Sequence, residues 1–194
     1  MPQLSSIITR TILCFFALFF VFETANAQTS LKTNSKISFG KATYRGINAG
    51  KVMRAWLIGG PIKISADSLE PDATSQQKYF DREENQFISA TSGNTLPQIS
   101  YKNKPIRWTR YQSKKDIIDF DSIYKKADFS SAYALAEIIA DTPTTALFAI
   151  GSDDALKVWH NGKLVHKNWV ARAIRPDDDI IKLNLIKGKN HLLL

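Results

Sequence analysis

The residues best suited to chemistry lie late in the chain. Ser152-Asp153-Asp154 sits between two apolar runs, Asp177-Asp178-Asp179 follows further on, and Trp159, His160, Asn161, His166, Trp169 and Arg172 fall between them. Adjacent carboxylates can hold a hard cation, but calcium takes about six to eight oxygens. Asp153 and Asp154 would therefore need help from Asp177-Asp178-Asp179 or from backbone carbonyls. A tight turn accounts for Ser-Asp-Asp without any ligand, because such side chains bond their own backbone. An exposed indole can stack on a sugar ring, which makes Trp159 and Trp169, among His160, Asn161, His166 and Arg172, candidates for carbohydrate. Trp56 and Trp108 lie within strand-like stretches and read as core.

Signs of catalysis are few. The sequence contains no Gly-x-Ser-x-Gly elbow, no His-Glu-x-x-His and no phosphate-cradling glycine loop. Glu83-Glu84 and Asp153-Asp154 are paired carboxylates, but adjacency along the chain is not a catalytic geometry. His160, His166 and His191 have no second ligand at metal spacing and read as turn or edge residues. No cofactor is implied, and calcium at Asp153 and Asp154 is the one metal to consider.

The elements that must position these groups follow a leader. Arg10 precedes the apolar run Ile12–Phe22, and Ala25-Asn26-Ala27 has the small-x-small form that a signal peptidase accepts. The run is too short to span a bilayer core of about 30 Å, so residues 1–27 read as a signal peptide and not as an anchor. The single cysteine, Cys14, belongs to that leader, which leaves residues 28–194 with no thiol for a disulfide or a metal. Export to the periplasm, the outer-membrane surface or the extracellular space is the expected fate. The net charge of +8 is spread along the chain without a basic block, which predicts a solvated basic surface and no nucleic-acid partner.

Residues 28–50 are polar and read as a flexible lead-in with room for one early strand. Val52–Ile58 is strand-like, with Gly59-Gly60-Pro61 as its stop. Residues 71–80 read as a short helix, with Pro71 in its first turn. Ile106, Trp108 and Arg110 share one face of a strand, and Asp116–Phe120 leads into a connecting loop. Ser131–Ala140 fits both a helix face and an alternating strand. Clearer strands follow at 145–150, 155–159 and 180–185, the last with Ile181, Leu183 and Leu185 facing one way. Asn161-Gly162 is the strongest hairpin signal, since it tolerates the positive φ angles of a type I′ turn. Lys187–Asn190 reads as a further turn before His191–Leu194.

Short strands spaced by turns predict an all-β antiparallel β-sandwich with one short helix, over residues 51–194. A chain that finishes on three leucines suggests a module truncated at its C-terminal strand; the alternative is a buried terminal edge strand.

Residues 146–194 carry a resemblance. Ala146–His166, with Ser152-Asp153-Asp154 and Asn161-Gly162 between strand-like runs, and Ile181–Leu194, with Leu185-Ile186-Lys187-Gly188-Lys189-Asn190, together resemble galactose-binding-like and protective-antigen-type jelly-roll modules. Trp56–Ile62 is similar to the Trp-x-x-x-Gly-Pro strand that often begins such modules in secreted bacterial hydrolases. The resemblance implies a jelly-roll and a non-catalytic accessory role beside a hydrolase domain of the same polypeptide. It also implies sugar binding through a calcium ion held by Asp153 and Asp154, with Ala155 standing where a glycine is usual. The expectation is thus an exported accessory module, N-terminal to a catalytic domain, with carbohydrate as candidate ligand and Asp153, Asp154, Trp159, Asn161, Trp169 and Arg172 as candidate site residues. The alternatives are the N-terminal part of a secreted glycosidase, peptidase or esterase whose catalytic residues lie beyond Leu194, or a purely structural packing domain.

Overall fold

Alternation with a period of two puts every second side chain on one face of a strand, and the structure turns that pattern into two facing sheets. The computed structural model describes residues 14–21, 39–46, 49–63, 73–81, 100–101, 104–125 and 128–194. In chain order the elements are β1 (Cys14–Val21), a 3-10 turn (Gly40–Ala42), β2 (Thr43–Arg45), β3 (Lys51–Val52), β4 (Ala55–Lys63) and α1 (Ala73–Phe80). There follow β5 (Ser100–Tyr101), β6 (Lys104–Pro105), β7 (Trp108–Gln112), β8 (Ile118–Asp119), α2 (Phe120–Tyr124) and β9 (Ser130–Ala140). The last five are β10 (Thr144–Ser152), β11 (Leu156–His160), β12 (Lys163–Asn168), β13 (Asp179–Leu185) and β14 (Gly188–Leu193).

The chain is an all-β sandwich. Its first sheet runs β13-β10-β1-β3, with β8 also paired to β1, and its second runs β12-β11-β14-β9-β4-β7. All these pairings are antiparallel; the exception in the second sheet is β2, which lies parallel to β9 from Thr43 beside Glu137 to Arg45 beside Ile139. β5 and β6 form a separate two-stranded ribbon. Between the sheets, Phe148, Ile150, Ile181, Leu183 and Leu185 meet Trp56, Ile58, Ala134, Ile138, Val158 and Leu192 in one buried cluster. A second cluster covers the other face of the larger sheet, where Phe39, Ala42, Leu57, Tyr133, Leu135, Trp159 and Leu193 are all buried.

That second layer explains why Ser131–Ala140 was ambiguous. β9 is buried on both faces, with alanines at 132, 134, 136 and 140 toward the sandwich interior and Tyr133 and Leu135 toward the outer cluster. A strand covered on both sides loses the polar half of its alternation. Leu194 is buried too, and it exchanges backbone hydrogen bonds with Ala134, at 2.9 Å from its N–H and 3.1 Å to its carbonyl.

Several expectations need correction. Gly59-Gly60-Pro61 does not end its strand. β4 continues to Lys63 through a register shift between Gly59 and Ile62, and a side chain at Gly60 would stand 3.2 Å from the Ala132 backbone. Lys187–Asn190 is not wholly a turn, since β14 starts at Gly188. Phe120, expected to end the run 116–120, and residues 121–124, expected as loop, form α2, capped by Asp119, whose carboxylate accepts from the Ser122 N–H at 3.0 Å. Those Ser122 hydrogen bonds hold the Asp119 carboxyl below its ordinary range. The apolar run read as the leader's core holds a place in a ladder: β1 pairs with β10 from Phe15 beside Ser152 to Val21 beside Ala146. A short apolar run rich in Phe and Val satisfies strand and leader patterns alike. No helix among the described residues is long and apolar enough to cross a membrane.

Candidate functional site

β13 places Asp179 on the same row as Ile181, Leu183 and Leu185, so this carboxylate points inward at one end of the sandwich and is 8% exposed. A buried carboxylate requires donors, and the strands and loop around it supply three. His166 Nε2 on β12 lies 3.1 Å from Asp179 Oδ1, and the Asn168 amide donates to the same oxygen at 3.1 Å. The Arg172 guanidinium donates to Asp179 Oδ2, and also to the Ser152 carbonyl at 3.1 Å and the Ser152 hydroxyl at 2.7 Å.

Arg172 thereby joins loop 169–178 to the turn after β10. The backbone reinforces that junction. Asp154 N–H donates to the Arg172 carbonyl, and Arg172 N–H donates to Asp154 Oδ1, both at 3.1 Å. Gly151 has no side chain because a Cβ there would stand 1.8 Å from the Arg175 carbonyl oxygen. Asp154 takes a φ of 63°, so the left-handed residue of this turn is the aspartate itself. Ala155 has an ordinary backbone, and a glycine is not needed there. Burial pushes the Asp154 carboxyl up, against the Arg172 N–H, which lowers it.

The expected ligand residues therefore divide. Asp154 and Arg172 come together, but on each other and on Ser152 and Asp179, while Asp153 is half-buried in the same turn. Calcium is poorly served there, because a guanidinium occupies the middle of the carboxylates. Among the described residues no group of three or more His, Cys, Asp or Glu is arranged to hold a metal. Trp159 needs correction as a sugar platform: it is 4% exposed within the outer cluster, with Leu193 and Leu135. Asn161 is a turn residue whose amide is committed, accepting from the His191 N–H at 2.8 Å and donating to Asn190 at 3.2 Å.

Trp169 stands apart. It is 38% exposed, and its ring lies 5.2 Å from Phe80, at the end of α1, with a tilt of 47°. Lys157 and Lys167 lie over the Phe80 ring at 4.8 and 5.5 Å, and Lys167 pairs with Asp81 at 2.6 Å. An aromatic step with cationic and carboxylate groups beside it can take the apolar face of a sugar ring and bond its hydroxyls. No local pattern marks Phe80, Lys157 and Lys167 as neighbours of Trp169, because α1 is remote in sequence from β11 and β12 and only the fold brings them together.

A second polar group lies under the outer cluster. Glu137 on β9 and His191 on β14 are direct cross-strand partners, both buried, with the Phe39 ring 5.4 Å from the imidazole at a tilt of 31°. His160 is also buried, and its Nε2 lies 3.2 Å from Asn190 Oδ1. His160 and His191 are thus interior residues of paired strands, not turn or edge positions.

Searches of family models, curated proteins and solved structures found no match to this chain.

Proposed function

We propose that this chain is a non-catalytic β-sandwich module of an exported protein, placed before a hydrolase domain that it accompanies, and that it binds carbohydrate at Trp169. The observation that carries this reading is the Trp169–Phe80 step. Of the four tryptophans it holds the one exposed indole, and Lys157, Lys167 and Asp81 stand beside it. The leader-like residues 1–27 support export, and the absence of catalytic motifs from the sequence supports an accessory role.

The test is isothermal titration of the chain against a panel of glycans, with and without calcium. Heat that disappears in Trp169→Ala and does not depend on calcium is expected, and no heat with any glycan overturns sugar binding. A second reading, a packing domain that binds nothing small, is favoured by the closure of Asp154, Arg172 and Asp179 on one another. The same titration separates the two. Turnover of a hydrolase substrate by the chain alone would overturn both.

A further inference from the structure

In the first sheet β1 fills a space one strand wide. Its backbone pairs with β10 on one side from Phe15 to Val21. On the other side it pairs with β3 through Leu18 and Phe19, and with β8 through Cys14 and Phe15. The far edge of β10 is already taken by β13, from Thr144 beside Leu185 to Ile150 beside Asp179. Among the described residues, β3 and β8 have no other partner in this sheet. Without β1, the ladder groups along one edge of β10 and those of β3 and β8 would face each other across a gap. Unpaired edges of this kind recruit another strand.

The floor of that gap is apolar. Ala146, Phe148 and Ile150 lie on the β10 side and Met53, Ile118 and Phe120 on the other, all within the main core. The sequence that fills it, Cys14-Phe15-Phe16-Ala17-Leu18-Phe19-Phe20-Val21, has no charged or hydrogen-bonding polar side chain other than the thiol. We infer that this gap is a strand-acceptor slot, which after leader removal takes an uncharged apolar strand from the hydrolase polypeptide that the module accompanies. The inference rests on the export and accessory reading above.

Topology sets the direction of the incoming strand. β9 to β10 and β13 to β14 each cross between sheets through a short turn and reverse direction, by residues 141–143 and 186–187. By the same alternation, a strand entering the first sheet from the end of the sandwich where β14 finishes runs antiparallel to β10. That is the direction β1 takes. Main-chain pairing along an open edge supplies affinity in such strand addition, and the alternate side chains that enter the core supply selectivity.

The test uses the full chain with a protease site placed between residues 22 and 28, cut in the folded state. Hydrogen exchange is followed at the amides of residues 146–152, and a labelled peptide of sequence 14–21 flanked by lysines is then added. The expected result is faster exchange once the cut leader is displaced, and exchange slowed about tenfold or more when the peptide binds. A peptide with Leu18→Pro, which cannot complete the ladder, should do neither. Alternate amides of this stretch face β13 and stay protected throughout, so those facing β1 are the reporters; equal binding of both peptides, or β1-facing amides that stay protected with the leader gone and no peptide bound, overturns the slot. In cells, a photocrosslinker at Leu147 should capture an uncharged apolar stretch of the accompanying hydrolase, and capture of only the chain's own leader overturns that donor. The N-terminal residue of the exported chain is read separately: retention of residues 1–27 overturns leader removal and the vacancy with it, whereas cleavage without peptide binding overturns the slot alone.

Discussion

Glu137 Oε2 and His191 Nε2 lie 3.6 Å apart across the β9–β14 pair, both buried and facing each other at ion-pair distance. The other Glu137 oxygen accepts from the Thr43 hydroxyl at 3.2 Å, and Lys189 Nζ reaches Oε2 at 3.2 Å from the surface side. A carboxylate thus ties β2, β9 and β14 together beneath Phe39, at the place where the outer cluster changes from apolar to charged.

This arrangement makes stability depend on pH through the two buried imidazoles. Burial holds both His160 and His191 below the ordinary value of 6.5; Asn190 opposes the shift at His160, and Glu137 opposes it at His191. With a depressed folded-state pKa, the unfolded chain takes up its proton first as pH falls. The stability difference is therefore absent well above 6.5, grows as pH drops through 6.5, and saturates once pH is below the folded pKa values. Urea midpoints should be level from about pH 8 to 7 and fall toward pH 5, with net proton uptake by the two imidazoles on unfolding. His160→Gln and His191→Gln should each reduce that uptake and flatten the fall.

Asp179 should be the most sensitive carboxylate at the end of the sandwich. Asp179→Ala removes the buried carboxylate from the Arg172 guanidinium, leaving it Ser152 and the more distant Asp178 at 3.7 Å, and should cost about 3 kcal/mol by urea unfolding, typical of breaking a buried pair. Loop 169–178 should also become cleavable in limited proteolysis, since Arg172 is its tie to Ser152 and Asp154. Arg172→Lys keeps the charge but cannot reach Ser152 and Asp179 together, and should recover only part of the loss.

The two tryptophans of this region should behave in opposite ways. Trp159→Ala empties a buried volume in the outer cluster and should cost about 3–5 kcal/mol. Trp169→Ala removes the ring of a residue 38% exposed and packed beside Phe80, and should change stability by less than Trp159→Ala does, by about 1 kcal/mol. Glycan titration should show the reverse order, with binding lost in Trp169→Ala and retained in whatever fraction of Trp159→Ala stays folded. Equal effects of both on binding would sink the Trp169 assignment.

What the sequence reveals follows the physics of each element. β13 is legible because one of its faces is wet, and Ile181, Leu183 and Leu185 take the row that alternation gives them. The same rule carries Asp179 onto the buried row, a reading that attention to its acidic neighbours obscures. Asn161 and Gly162 take φ angles of 48° and 80°, as a two-residue hairpin turn requires. β9 hides because both its faces are covered, and α2 because five residues give no period. Trp159 could not be separated from Trp169 by composition. The strand period decides it, since Trp159 lies one residue from Val158 and so faces the second layer, whose existence no local pattern announces.

Asn190 gives a physical meaning to the Leu185–Asn190 pattern. It is fully buried, and its Oδ1 accepts from the Ile186 N–H at 2.9 Å and from the Asn161 amide at 3.2 Å. Its Nδ2 donates to the Ile186 carbonyl at 2.9 Å and the Gly188 carbonyl at 3.2 Å. One side chain thus closes the β13–β14 turn and fastens it to the β11–β12 hairpin. Asn190→Ala leaves these backbone groups without partners and should cost about 3 kcal/mol, since each buried orphan costs about 1–3 kcal/mol. Asn190→Asp keeps the acceptor oxygens but loses both donors and buries a charge, so it should be no milder than alanine. Rescue by aspartate would show that only the acceptor matters. Urea unfolding of the two variants, with hydrogen exchange at Ile186 as the local reporter, decides between these outcomes.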